Sequence, residues 1–163
     1  MERSRATLRI RPAIPADAVA IATVHAQSWR ETYGRFVDNP DTDPWFDVGR
    51  RIGMWRSSLE EEELNVVVAD ADGSIVGFAA TPLTPGADAV RPEELQMLYV
   101  IESSHGSGAG QAPLDAVLGD RPASLWVAAD NPRAHAFYLR NGFRPDGAES
   151  SFGPIPRTVR LVR

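Results

Sequence analysis

Leu8-Arg9-Ile10-Arg11 alternates apolar and charged side chains, the period of a strand with one buried face. Pro15-Ala16-Asp17 then opens an Ala-rich stretch in which Ile21, Val24 and Trp29 recur near helical spacing, so a helix follows the first strand. Asp38 to Pro44 is rich in Asp, Asn and Pro and reads as a loop, and Trp45 to Leu59 reads as a second helix. The acids Glu60 to Glu63 read as a solvated helix end or loop. Leu64 to Asp70 and Ser74 to Ala80 are strands joined by the turn signal Ala71-Asp72-Gly73. The prolines and glycine of Thr81 to Pro92 mark an exposed loop. Beyond it the pattern predicts a central strand over Glu94 to Ile101, a helix over Gly108 to Leu118, a strand over Ser124 to Ala128 and a helix over Pro132 to Asn141. Asn131 suits the cap of that last helix, Pro132 its first position and Gly142 the residue past its end. Thr158 to Val162 would be a closing strand. The order of elements predicts a mixed sheet with helices on both faces.

Composition narrows the function. A chain of 163 residues with an ordinary apolar fraction fits one domain, and a net charge of −5 without any Lys or Arg block argues against nucleic-acid binding as the main activity. The absence of cysteine excludes disulfides, thiolate metal sites and a cysteine nucleophile together. Three scattered histidines suggest no metal site. No apolar run is long enough to span a bilayer, and Met1-Glu2-Arg3-Ser4-Arg5 is not followed by a signal-peptide core, so a cytoplasmic protein without a membrane role is expected.

The most informative stretch runs from Leu98 to Gln111. An apolar strand passes through a polar turn into Gly106, Gly108 and Gly110 and then into a helix. Glycines let successive backbone N–H groups approach an anion, and a helix start turns its unpaired donors and positive dipole end to the same point. Glycine alternation alone is weak evidence, since most such turns are only turns. A dinucleotide site would want an acid about twenty residues further on to hold a ribose; Asp130 stands at that distance, but it precedes Asn131-Pro132 and reads better as the approach to a helix. Pro113 would fall near the end of the cradle helix's first turn, where its missing N–H has no helical partner to lose.

Val100, His105, Gly108 and Gly110 resemble the central motif of the GNAT superfamily of acyl-CoA-dependent N-acetyltransferases: a strand ending in Val, then Gln or Arg-x-x-Gly-x-Gly or Ala opening a helix. His105 departs from it. Asn131-Pro132-Arg133-Ala134-His135-Ala136-Phe137-Tyr138-Leu139-Arg140-Asn141-Gly142-Phe143 is similar to the second part, Asn-x-x-Ala-x-x-Phe-Tyr-x-x-x-Gly-Phe. The likeness covers most of the chain and is sharpest from Glu94 to Phe143. It implies one domain over residues 1–163, an α/β fold with a central mixed, largely antiparallel sheet flanked by helices, and acetyl-CoA as acyl-donor cosubstrate without a metal. The partner it implies is an amine-bearing acceptor, a small molecule or peptide; a homodimer is left open.

By that resemblance the main chain of Leu98 and Val100 would hold the pantetheine arm and acetyl carbonyl, and His105, Gly106, Ser107, Gly108, Ala109 and Gly110 the pyrophosphate. Asn131 would cap its helix and bond or order the cofactor. Tyr138 would stand near the thioester sulfur as proton donor, with the small Ala134 on the same helical face. Glu94 is the candidate base, with Glu93 as its alternative, because even spacing puts Glu94 on one strand face with Leu98 and Val100. His25 reads as a packed or surface side chain. Trp29, Tyr33 and Trp55 are the guess for an aromatic acceptor pocket. A module of the same fold that binds acyl-CoA without turnover is the competing reading.

Overall fold

The computed structural model describes residues 7–163. Met1 to Arg5, read above for a leader, lie outside them. The alternating start forms β1 (Leu8–Pro12), and a short turn of 3-10 helix at Pro15–Asp17 leads into α1 (Ala18–Tyr33). The second helix is shorter than expected. Pro44–Phe46 makes its own turn of 3-10 helix, and α2 (Val48–Glu60) starts only after Asp47, whose carboxylate accepts from the Arg50 N–H.

β2 (Leu64–Ala71) and β3 (Ser74–Pro82) form the expected hairpin, with Asp72 and Gly73 both at positive φ as a tight primed turn requires. β2 reads as a nearly continuous apolar run because both of its faces are covered. Val66 and Val68 pack with Ile21, Val24 and Trp55 of α1 and α2, whereas Val67 packs on the other face with Leu114, Val117 and Leu118.

The stretch read as one central strand is two. β4 (Glu93–Leu95) runs parallel to β6 (Ala123–Ala128), whereas β5 (Met97–Val100) runs antiparallel to β3. The chain changes partner at Gln96, whose N–H donates to the Ala80 carbonyl at 3.0 Å. The strand orders are therefore β1-β2-β3-β5 in one sheet and β4-β6-β8-β7 in the other, where β7 is Arg144–Phe152 and β8 is Ile155–Val162. All pairings but β4 with β6 are antiparallel. The structure is the mixed, largely antiparallel α/β fold expected, opened into two sheets along one seam.

The helix after the glycines, α3 (Gln111–Leu118), starts three residues later than predicted; Pro113 is its third residue, inside the first turn. α4 (Pro132–Arg140) begins as expected, with the Asn131 side chain accepting from the Ala134 N–H at 3.2 Å. Among the described residues no helix is long and apolar enough to cross a membrane.

Candidate active site

The seam at Gln96 leaves β5 with no strand neighbour on its β6 side. Ile101 N–H donates to the Val76 carbonyl, so the main-chain groups of odd-numbered residues of β5 face β3. Those of Leu98 and Val100 turn the other way, into the seam. A cleft of about 400 Å³ runs along this edge and is walled by the glycine turn, by Asn131, Ala134 and Tyr138 of the α4 region, and by Ser28 of α1.

The glycine turn is shaped by its φ angles. Gly106 (φ 77°) and Gly108 (φ 91°) adopt conformations that side chains disfavour, and a Cβ on either would point into open space. Gly110 stands at the start of α3 in ordinary contact range of Val100 and Phe137. A Cβ on Gly77 of β3 would stand 3.0 Å from the Tyr99 carbonyl oxygen and 3.2 Å from that of Ala109, so this glycine lets the turn lie close on the sheet. Ser107 and Ala109 do not line the cleft. The Ser107 hydroxyl donates to the Ser104 carbonyl and accepts from the Ala109 N–H, and Ala109 is buried under the turn. Their part is to hold the turn's shape.

His105 lines the cleft but is turned toward the strand. Its Nε2 bonds the Val100 carbonyl at 3.0 Å, which requires a hydrogen on Nε2, and its buried Nδ1 bonds no described residue. The ring thus takes one of the two carbonyls that the seam would otherwise leave open.

A second cavity of about 970 Å³ lies beyond the seam, walled by α1, α2 and the sheet of β4, β6 and β8. The two spaces share Tyr33, Leu95, Gln96, Met97, Tyr99, Trp126 and Val127, so they meet where the strands part. Glu94 faces the larger cavity, and burial pushes its carboxyl above the ordinary carboxylate range. Spacing had put it on one face with Leu98 and Val100; the partner change at Gln96 breaks that alternation, and Glu94 reaches the seam from the opposite sheet. Its neighbour Glu93 is held by Arg121 at 2.7 Å and does not line the cavity. Tyr138 stands on the cleft side. Burial raises its phenol above the ordinary value, and the hydroxyl bonds no described residue, so the proton stays on oxygen and available.

Of the three aromatics expected around an acceptor, Trp29 and Tyr33 line the larger cavity, but Trp55 does not. Trp55 is fully buried in the core and donates its indole N–H to His25 Nδ1 at 3.1 Å. The wall it was expected to form is made instead by Trp45, which is 42 % exposed and stacks on Trp29 at 5.7 Å.

His25 is a buried wall residue of this cavity. Burial, with the nearby charge of Arg51, pushes it down to about 3 from 6.5, and its accepting Nδ1 leaves the hydrogen on Nε2. Below about pH 6.5 the unfolded chain binds a proton that the native protein refuses, so stability present above that pH drains as the pH falls toward the folded value. Urea unfolding between roughly pH 7.5 and 5 will show a falling midpoint in the parent and a flatter one in His25→Gln. Equal slopes would rule His25 out as the source.

Two polar residues of these walls escaped the sequence reading. Ser28 Oγ, buried and bonded to no described residue, lies in the cleft; the only signal was a hydroxyl on the apolar face of α1. Arg51 of α2 is 8 % exposed and lines the larger cavity. Nothing in its helical spacing marked it apart from the surface arginines nearby.

A family model described as "Acetyltransferase (GNAT) domain" matches residues 62–145, a range that holds the seam, the glycine turn and α4. The chain is 28% identical over 159 residues, 91% of this chain and 86% of the other, to a Mycobacterium tuberculosis protein named "Probable N-acetyltransferase Rv2775". It is 36% identical over 140 residues, 82% and 87% of the two chains, to "Uncharacterized N-acetyltransferase Rv2669" of the same species. Its fold matches that of PaiA N-acetyltransferase from Thermoplasma acidophilum, solved with coenzyme A, at a TM-score of 0.66 and 18% identity over 94% of this chain and 98% of that one. The parted strands, the glycine turn and these matches together show that the chain belongs to the GNAT family of acetyltransferases, and so is an acyltransferase.

Proposed function

We propose that this chain moves an acetyl group from acetyl-CoA to a primary amine of a small molecule or peptide by direct attack in a ternary complex. The observation that carries the reading is the meeting of two spaces at one seam, with a carboxyl of raised pKa on one side and an unengaged phenol on the other. The cradle fits the donor's phosphates, since the N–H groups of Gly106 and Gly108 donate to no described backbone carbonyl and no side chain covers the turn there, and the exposed Arg133 and Arg140 add positive charge along the same cleft. A protein that shares the fold was solved with coenzyme A, which supports a coenzyme A thioester as the donor.

The chemistry then divides among residues of this chain. The amine nitrogen forms a bond to the thioester carbon as the carbon–sulfur bond breaks. Glu94, directly or through water, takes the proton that the amine loses. Tyr138 donates a hydrogen bond, and then its proton, to the departing sulfur. Burial raises the phenol, so Tyr138 keeps its proton until the departing sulfur draws it, and the same dry cleft disfavours a free thiolate. The Leu98 N–H and C=O, turned into the seam, are placed to fix the donor's amide-bearing arm.

Because Glu94 must be ionised to act, and burial raises its pKa, kcat/KM falls as the pH drops through a value above the ordinary 4.5 of a glutamate. Glu94→Gln is expected to lower kcat by about a hundredfold and to remove that acidic limb, measured as thiol release over a panel of amines. An unchanged profile would pass the role to another group. Binding of acetyl-CoA by calorimetry without turnover on any amine class would return the chain to a non-catalytic acyl-CoA-binding module.

A further inference from the structure

Arg51 is a buried cation with half of its hydrogen-bonding edge unengaged. Its Nη1 donates to the Trp45 carbonyl, and its guanidinium lies over the Trp29 ring at 5.0 Å from the centroid, so its plane is fixed. Nε is buried and bonds no described residue, and Nη2 hydrogen-bonds none either. In a guanidinium the Nε–H and one Nη2–H point the same way and match the two oxygens of a carboxylate. That edge is the one left unbonded.

The charge is also unmatched. Among the described residues no carboxylate oxygen lies within 4.0 Å of the Arg51 nitrogens. Asp47 is the acid that bears on it, but Asp47 is exposed and bonded to the Arg50 N–H. Burial lowers the Arg51 pKa from its ordinary value, yet a guanidinium stays charged in any accessible range. His25, on the neighbouring wall, is neutral and presents only an N–H. A buried unpaired cation is costly unless a ligand completes it.

We propose that Arg51 binds a carboxylate of the acceptor, so that the substrate of this chain is an amino acid or peptide with a free carboxylate as well as a free amine. Glu94 and Arg51 line one cavity, which gives the two ends of such a molecule partners of opposite charge, and Trp29, Trp45 and Tyr99 line the same cavity and suit an apolar body. The assignment of the amine end rests on the acetyl-transfer reading above; that of the acid end rests on Arg51.

The test is equilibrium binding, followed by quenching of the tryptophans beside Arg51, with CoA present and absent. The probes are glycine, leucine, phenylalanine and glycyl-phenylalanine, each against its own carboxamide. At least one acid is expected to bind about tenfold or more tightly than its amide. The ratio should fall to about one in Arg51→Gln and be partly kept in Arg51→Lys, which retains the charge but not the fork. Ratios near one for every pair in the unmodified protein, or a preference that survives Arg51→Gln, would overturn the proposal. The acid-to-amide ratio of the parent decides the matter even if Arg51→Gln does not fold. Thiol release from acetyl-CoA on the same pairs separates the two readings: preferred binding of acids without any release leaves Arg51 assigned and removes acetyl transfer.

Discussion

Tyr138→Phe is expected to slow the chemical step at least tenfold, and up to about ten-thousandfold, while leaving acetyl-CoA affinity near that of the parent. The substitution removes one oxygen and keeps the ring, which packs edge-on against Phe137 and Phe143 at 5.3 and 5.8 Å. Stability should change little, because the hydroxyl bonds no described residue and its loss orphans nothing. A thiolate departs more easily than an alkoxide, which sets the lower bound at tenfold. Slow product release could mask the effect in steady state, so single-turnover acetyl transfer is the measurement. Equal rates across pH would make Tyr138 a packing residue.

Gly108→Val is expected to weaken acetyl-CoA binding by about a hundredfold or more, since it forfeits several charge-assisted bonds from the turn. Two effects add. At φ 91° a β-branched residue is strained, and its side chain would project into the space where no atom lies within 4 Å of a Cβ. Gly147→Val separates them, because Gly147 has φ 90° and equally open surroundings but lies on β7, away from the cleft. Both variants should melt somewhat lower than the parent. Only Gly108→Val should lose the rise in melting temperature that acetyl-CoA produces. Loss of that rise in Gly147→Val as well would assign the effect to backbone strain alone.

Local signals were the legible ones. The cap at Asn131, the proline after it and Gly142 at φ 87° fix α4 through bonds among near neighbours, which any sequence window contains. β7 was missed because its residues are almost all exposed and include Pro145 and Gly147, so neither alternation nor propensity announces it; it exists by pairing with β8 across irregular register. The division of one apolar run at Gln96 was also hidden, since a strand's period records which faces are buried and not which neighbour supplies the ladder. Trp55 and Trp45 are equally aromatic in sequence. Only packing decides that Trp55 meets His25 in the core while Trp45 covers Trp29. Arg51 is the sharpest case, because what distinguishes it is a buried Nε that bonds no described residue.

The seam has a consequence for how this protein tolerates change. If a ligand is held by main-chain groups, as proposed for Leu98, the side chains along β5 are free to drift so long as they fill the core. Selection there acts on register and not on residue identity. An alanine scan along β5 would therefore pass over the part of the site that matters most, whereas a single-residue insertion at Gln96 would turn every donor and acceptor of that edge to the wrong side.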